Sequence, residues 1–248
     1  MVPSQVMALQ EDFSIQGFFR TMKVSASGDI LLISDNTVHK VDRNGFTQAM
    51  QSFDGKRPLA LDMGRNEILF FMEGNDEVRI LDPNLAPRRK INLAESGIEN
   101  PGPAARADRE EFWIFDKDRG KFLLVSHNMK VRRESDDLTP FAFQSLNPVS
   151  ATYYDNKLFV NNGGHEVLVL DRFGSYEQRL DVRADGNLQI ADGKIFFVKN
   201  NRARVMDIRS GRDRSPDIVL PYSNIREYLI KDSRVYILTR GGLTVFNI

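Results

Sequence analysis

Short apolar runs separated by polar breaks recur along the whole chain. In each recurrence an apolar run is followed by a polar or Gly-containing break and then by a second apolar run that closes on Asp, Asn or Ser. The first runs begin at Ile30, Ile68, Phe112, Leu158, Ile195 and Val235, and the units close at Asp42, Asp82, Ser126, Asp171, Asp207 and Asn247. The closing residues are 40, 44, 45, 36 and 40 positions apart by subtraction. A period of roughly 40 residues with several short strands per unit is the signature of a β-propeller. The pattern therefore predicts an all-β, six-bladed β-propeller with four-stranded antiparallel blades.

The second unit shows the expected order. Leu59–Met63, Ile68–Met72, Val78–Leu81 and Arg88–Leu93 read as strands A to D of a meander. The B strands are nearly continuous apolar runs, such as Ile30–Ile33 and Ile68–Met72, which suits strands covered on both faces. The D strands carry basic clusters, Arg88, Arg89 and Lys90 or Lys130, Arg132 and Arg133, and charge on an outer strand discourages edge-to-edge pairing. Gly, Asn and Asp in the breaks (Gly64-Arg65-Asn66, Asp155-Asn156, Arg43-Asn44-Gly45) supply the positive-φ positions of tight hairpins. The Asp that recurs before each C–D turn is expected to bond its own downstream backbone.

The sixth unit stops after its third strand, and Val6–Ile15 is the candidate for the missing outer one. An N-terminal strand pairing into the last blade would close the ring. The chain then reads as a single domain over 1–248, with blades starting near residues 20, 58, 103, 148, 187 and 225 and a closing strand at 6–15.

Composition narrows the function classes. The chain has no Cys, which removes disulfides, thiolate metal sites and Cys nucleophiles. Lys plus Arg total 34 and Asp plus Glu total 34, so the basic excess of a nucleic-acid binder is missing. No apolar stretch reaches the ~20 residues of a membrane helix, so no membrane insertion is expected. Met1–Gln10 lacks a basic segment followed by an apolar core, the form of a signal peptide. The location expected is cytoplasmic if Met1 is the native start, and periplasmic or extracellular if an export signal has been removed.

Val167-Leu-Val-Leu-Asp-Arg-Phe-Gly-Ser-Tyr176 resembles the block Gly-Ile-Leu-Val-Phe-Asp-x-Phe-Gly-Thr-Tyr of an uncharacterised family of six-bladed β-propeller proteins from Gram-negative bacteria. Phe18-Phe19, Gly28–Ile33, Val78–Asp82, Phe112–Asp116 and Gln189-Ile190 match the same family in the same order. The resemblance implies the six-bladed ring and, since members are usually exported, an envelope location. It transfers no catalytic motif. The general pattern is also similar to NHL-like rings.

Candidate chemistry is sparse. His39, His127 and His165 fall near C strands or their turns, where they should not converge on a channel, and no metal-protease, phosphate-loop or serine-elbow motif occurs. No cofactor, catalytic residue or metal site is expected. The B–C and D–A connections gather on one face of such a ring. There the sequence places Arg119, Asn161, Asn162, His165, Asn200, Asn201, Arg202 and Arg240. The long connection Ser135–Asn147 adds Phe141 and Phe143, which either anchor a partner or tuck over the seam between blades three and four. Long loops on a rigid scaffold are where function concentrates. The reading favours a monomeric, non-catalytic binding scaffold for a protein or glycan partner. A metal-assisted hydrolase or lyase at the channel mouth is the alternative.

Overall fold

The computed structural model describes residues 9–63, 66–73, 77–108, 110–128, 130–216 and 218–248. It forms six antiparallel sheets of four strands each, the six-bladed propeller that the repeat predicts. The inner strands of blades one to six are Thr21–Val24, Arg57–Met63, Pro101–Arg106, Pro148–Tyr154, Gln189–Ala191 and Glu227–Lys231. Among the described residues the helical segments are two 3-10 turns, Leu93–Ser96 and Thr139–Phe141. Val6 to Ala8 of the expected closing segment, and the turn residues Gly64 and Arg65, lie outside the described residues.

The core lies in the seams between blades, which explains the continuous apolar B strands. Side chains alternate across a strand, so successive residues serve opposite seams. Leu31 and Ile33 pack toward blade two, while Ile30 and Leu32 join the cluster shared with blades five and six. Likewise Ile68, Phe70 and Met72 face blade one and Leu69 and Phe71 face blade three. Trp113 and Phe115 fill the seam to blade four, and Phe159 that to blade five.

The recurring Asp forms a clasp. Asp42 Oδ1 accepts the backbone N–H of Asn44 and Phe46 at 2.9 and 3.0 Å. Asp82 does the same with Asn84 and Ala86 at 2.8 and 2.9 Å, and Asp171 with Phe173 and Ser175 at 2.8 and 2.9 Å. Three residues past each Asp the backbone turns left-handed, at Gly45 (φ 92°), Leu85 (φ 64°) and Gly174 (φ 87°). That position meets the preceding blade. A Cβ on Gly45 would stand 2.7 Å from the Phe13 ring, and one on Gly174 2.9 Å from Trp113. Leu85 accepts the unfavourable φ and fills the gap itself, buried beside Val38 and Phe53 of blade one. The Asp171–Tyr176 block, which carries the family resemblance, is therefore a structural clasp: Tyr176 also stacks on Phe141, with ring centres 3.9 Å apart.

The ring closes through Gln10–Gln16, which pairs with Gly242–Asn247 as the outer strand of blade six. Asp12 bulges from this ladder and pairs with Arg234 at 2.8 Å. Gly242 has φ 142°, and a Cβ there would lie 2.0 Å from the carbonyl oxygen of Ile15, so only glycine admits the closing strand.

Candidate functional site

The inner strands of blades one, five and six begin at the loop-rich face with Thr21, Gln189 and Glu227. Below this mouth runs the central channel, a cavity of about 360 Å³ lined mainly by inner-strand residues, Met22, Leu59, Ala104, Thr152 and Leu229 among them. Above it, between blades five, six and one, opens a cleft of about 550 Å³. Its walls come from segments distant in sequence: Arg20 from the link into blade one, Asp185 to Asn187 from the link out of blade four, Ser223 to Arg226 from the link into blade six, and Arg240 and Asn201 from B–C turns.

Glu227 forms the floor and is fully buried. Its Oε2 accepts Thr21 Oγ1–H at 3.0 Å, the Met22 N–H at 3.1 Å and Gln189 Nε2–H at 3.1 Å, and its Oε1 accepts Asn187 Nδ2–H at 2.7 Å. All four donors are neutral. Burial pushes its pKa above the usual glutamate range, and the hydrogen bonds only partly oppose that. Glu77, by contrast, is equally hidden yet held below that range. Burial acts against its charge, but hydrogen bonds from Lys90, Arg79 and Lys56 outweigh it. Glu77 is a buried carboxylate tied to three partly exposed cations, whereas Glu227 has no cation beside it among the described residues.

The expected site residues divide. His165, Asn200, Asn201, Arg202 and Arg240 are exposed on B–C turns of the loop-rich face or directly beside them. Asn200 and Asn201 take φ 51° and 58° as the two central residues of a tight hairpin. Arg119 is half committed, pairing with buried Asp116 at 3.4 Å and Glu134 at 3.8 Å. Asn161 and Asn162, expected as surface groups, are buried and bonded within the fold. Asn161 Oδ1 accepts the Gly164 N–H at 3.1 Å. Asn162 Oδ1 accepts the Asn147 N–H at 2.6 Å, while its Nδ2 donates to Ser145 O and Glu166 Oε1. Asn162 thereby fastens the Ser135–Asn147 connection, whose polar backbone would otherwise be unpaired, while Asn161 ties its own B–C turn. Phe141 sits in the 3-10 turn against Tyr176 and covers the seam, whereas Phe143 is 64% exposed with the Arg179 guanidinium 5.5 Å from its ring.

Of the histidines, His39 lies on a C strand and His127 and His165 in turns, none on an inner strand. Among the described residues no three His, Cys, Asp or Glu side chains stand close enough to hold a metal ion. Sequence reasoning missed Glu227. Its one signal was an acidic residue opening an otherwise apolar inner strand, Glu-Tyr-Leu-Ile.

This architecture defines the class as a six-bladed β-propeller with a polar cleft at the channel mouth. Solved structures agree on the fold. A virginiamycin B lyase from Staphylococcus aureus overlaps 92% of this chain and 79% of its own at 10% identity, TM-score 0.61. A streptogramin B lyase overlaps 97% of each chain at 14% identity, TM-score 0.59. No family model and no curated protein matches the chain.

Proposed function

We propose that this propeller is a non-catalytic binding module that recognises a protein or glycan partner through its loop-rich face, with the cleft at the channel mouth as its centre. The observation that carries the reading is the cleft itself. It is a concave opening of about 550 Å³ built from five separate connections and walled by Arg20, Arg226 and Arg240. Directional donors around a concavity are the usual equipment of a specific recognition site. The resemblance to the exported, uncharacterised six-bladed family supports an envelope setting, which fractionation of the native host would test.

A second reading is favoured by one group. Glu227, buried at the channel mouth with its pKa raised, has the character of a general acid, and the two propellers of TM-score 0.59 and 0.61 are named as lyases. A stoichiometric divalent ion retained by the purified protein at the channel would favour a metal-assisted hydrolase or lyase over the binding module.

Partner contacts should map to the loop-rich face. Phe143→Ala and Arg202→Ala are expected to weaken partner capture while shifting stability by less than about 0.5 kcal/mol, as exposed positions do. Asn162→Ala serves as contrast: it should cost about 1–3 kcal/mol by leaving buried partners unpaired. A crosslinking map with every contact around Gly45, Pro83 and Gly174, on the opposite face, would overturn the assignment.

A further inference from the structure

We propose that the outer edge of blade one is a self-association surface, joining two copies of this chain through antiparallel pairing of Thr47–Ser52. The observation is a contrast among the six outer strands. Blade two's carries Arg88, Arg89 and Lys90, and blade six's carries Glu11 and Asp12. Those of blades three, four and five, Val131–Glu134, Tyr176–Leu180 and Asp213–Arg214, each hold an Arg and an acid. Thr47-Gln-Ala-Met-Gln-Ser52 carries no charge at all. Charge is the ordinary protection of an exposed strand edge, and here it is withheld. In its place stand Met50, 63% exposed, and Phe46 just before the strand, 68% exposed. Open backbone flanked by large apolar side chains is a template for another strand.

The ladder shows which groups are free. Thr37↔Ser52, Val38↔Gln51, His39↔Met50 and Lys40↔Ala49 pair in regular register, and beyond them the Phe53 N–H reaches Asn36 O at 2.8 Å. Bonding direction alternates along an antiparallel strand, so Gln51 and Ala49 also turn their N–H and C=O inward. Met50 and Ser52 turn theirs outward. A two-fold axis at Gln51 sets Met50 against Ser52 of the second copy and Ser52 against its Met50, and each of those groups finds a partner. Charge names the occupant. Paired with itself this edge opposes no like charges, whereas the edges of blades two and six would. The whole chain is balanced too, with Lys plus Arg 34 and Asp plus Glu 34, so two copies approach without net repulsion. The monomer expected from the sequence gives way to a dimer that a short edge holds and dilution dissociates.

The test is sedimentation velocity of the full chain over an about hundredfold dilution series, in which the weight-average mass should fall from near two chains to one. Gln51→Lys and Gln51→Glu each set like charges opposite one another across the axis, so each alone should stay a single chain with its melting curve kept. Mixed in equal amounts they oppose Lys to Glu and should regain the dimer. Gln178→Lys, the same change on blade four's outer strand, should leave the dimer intact. A second measurement uses the lack of Cys in the chain. Gln51 and its own copy form a non-hydrogen-bonded pair, with Cα atoms about 4.5 Å apart, within disulfide range. Gln51→Cys should therefore link to itself on mild oxidation, and Gln178→Cys should not. A parent that sediments as a single chain throughout would overturn the dimer and leave the edge to a strand of another protein. Charged variants that still dimerise would overturn the choice of edge. A mixture that stays single, with Gln51→Cys unlinked, would overturn the two-fold register.

Discussion

Gly242→Val is expected to abolish cooperative folding of the ring. The new Cβ would fall 2.0 Å from Ile15 O, on a backbone at φ 142° that side chains rarely adopt. The closing strand must then leave, taking with it the ladder from Gln10↔Asn247 to Gln16↔Gly242 and the Asp12–Arg234 pair. Phe13 also loses its place under the Gly45 turn, so the damage spreads to blade one. A cost of about 4 kcal/mol or more puts this among the most severe single substitutions. Deleting residues 1–16 should reproduce it. Thermal melts with light scattering would read the loss of a sharp transition and the onset of aggregation from the bared edge of blade six. A deletion variant that melts like the parent would show that the strand does not hold the ring together.

Glu227→Ala ranks next. It removes the shared acceptor of Thr21, Met22, Asn187 and Gln189 and so unfastens blades one and five from blade six at one point. Stranded buried donors cost about 1–3 kcal/mol each before relaxation, so a total of about 3–5 kcal/mol is expected. For a chain of this size that lowers Tm by roughly 10 °C. Glu227→Gln keeps one acceptor oxygen and should cost less, about 1–3 kcal/mol. The pair also predicts a pH dependence. The ordinary glutamate value is 4.5 and the folded value lies above it. Between the two the native protein holds a proton that the unfolded chain has released, so stability falls as pH rises across that interval. Below it the contribution is fully present, and above it is lost. Glu227→Gln should flatten that slope, and chemical denaturation from pH 4 upward would show it. An unchanged slope would mean that Glu227 is ionised in the folded ring throughout.

The fold was legible because its determinants are local. Apolar runs such as Ile68–Met72 mark strands covered on both sides, and Asp42, Asp82 and Asp171 each fold their own turn within five residues. The site was less legible because its determinants are not. Asn161 and Asn162 look like any polar strand end; the burial of Asn162 depends on a connection returning over it from Ser145 and Asn147. Glu227 looks like a solvated strand opening until Thr21, 206 residues away, arrives beside it. Phe141 and Phe143 are two positions apart and nearly identical in local sequence, yet Tyr176 of the next blade captures one and leaves the other outside.

The closing strand has a history as well as a position. Gln10 is made long before its partner Asn247, 237 residues later by subtraction. At translation rates of about 5–20 residues per second the wait is roughly 12–47 s, during which Gln10–Gln16 has no sheet to join. An idle strand of alternating polarity is a template for any passing chain, and its two adjacent acids, Glu11 and Asp12, repel such company. When blade six is finally made, Asp12 exchanges that watch for Arg234. One of the two charges that oppose stray pairing of the open strand is thus the one that Arg234 neutralises once the ring is closed.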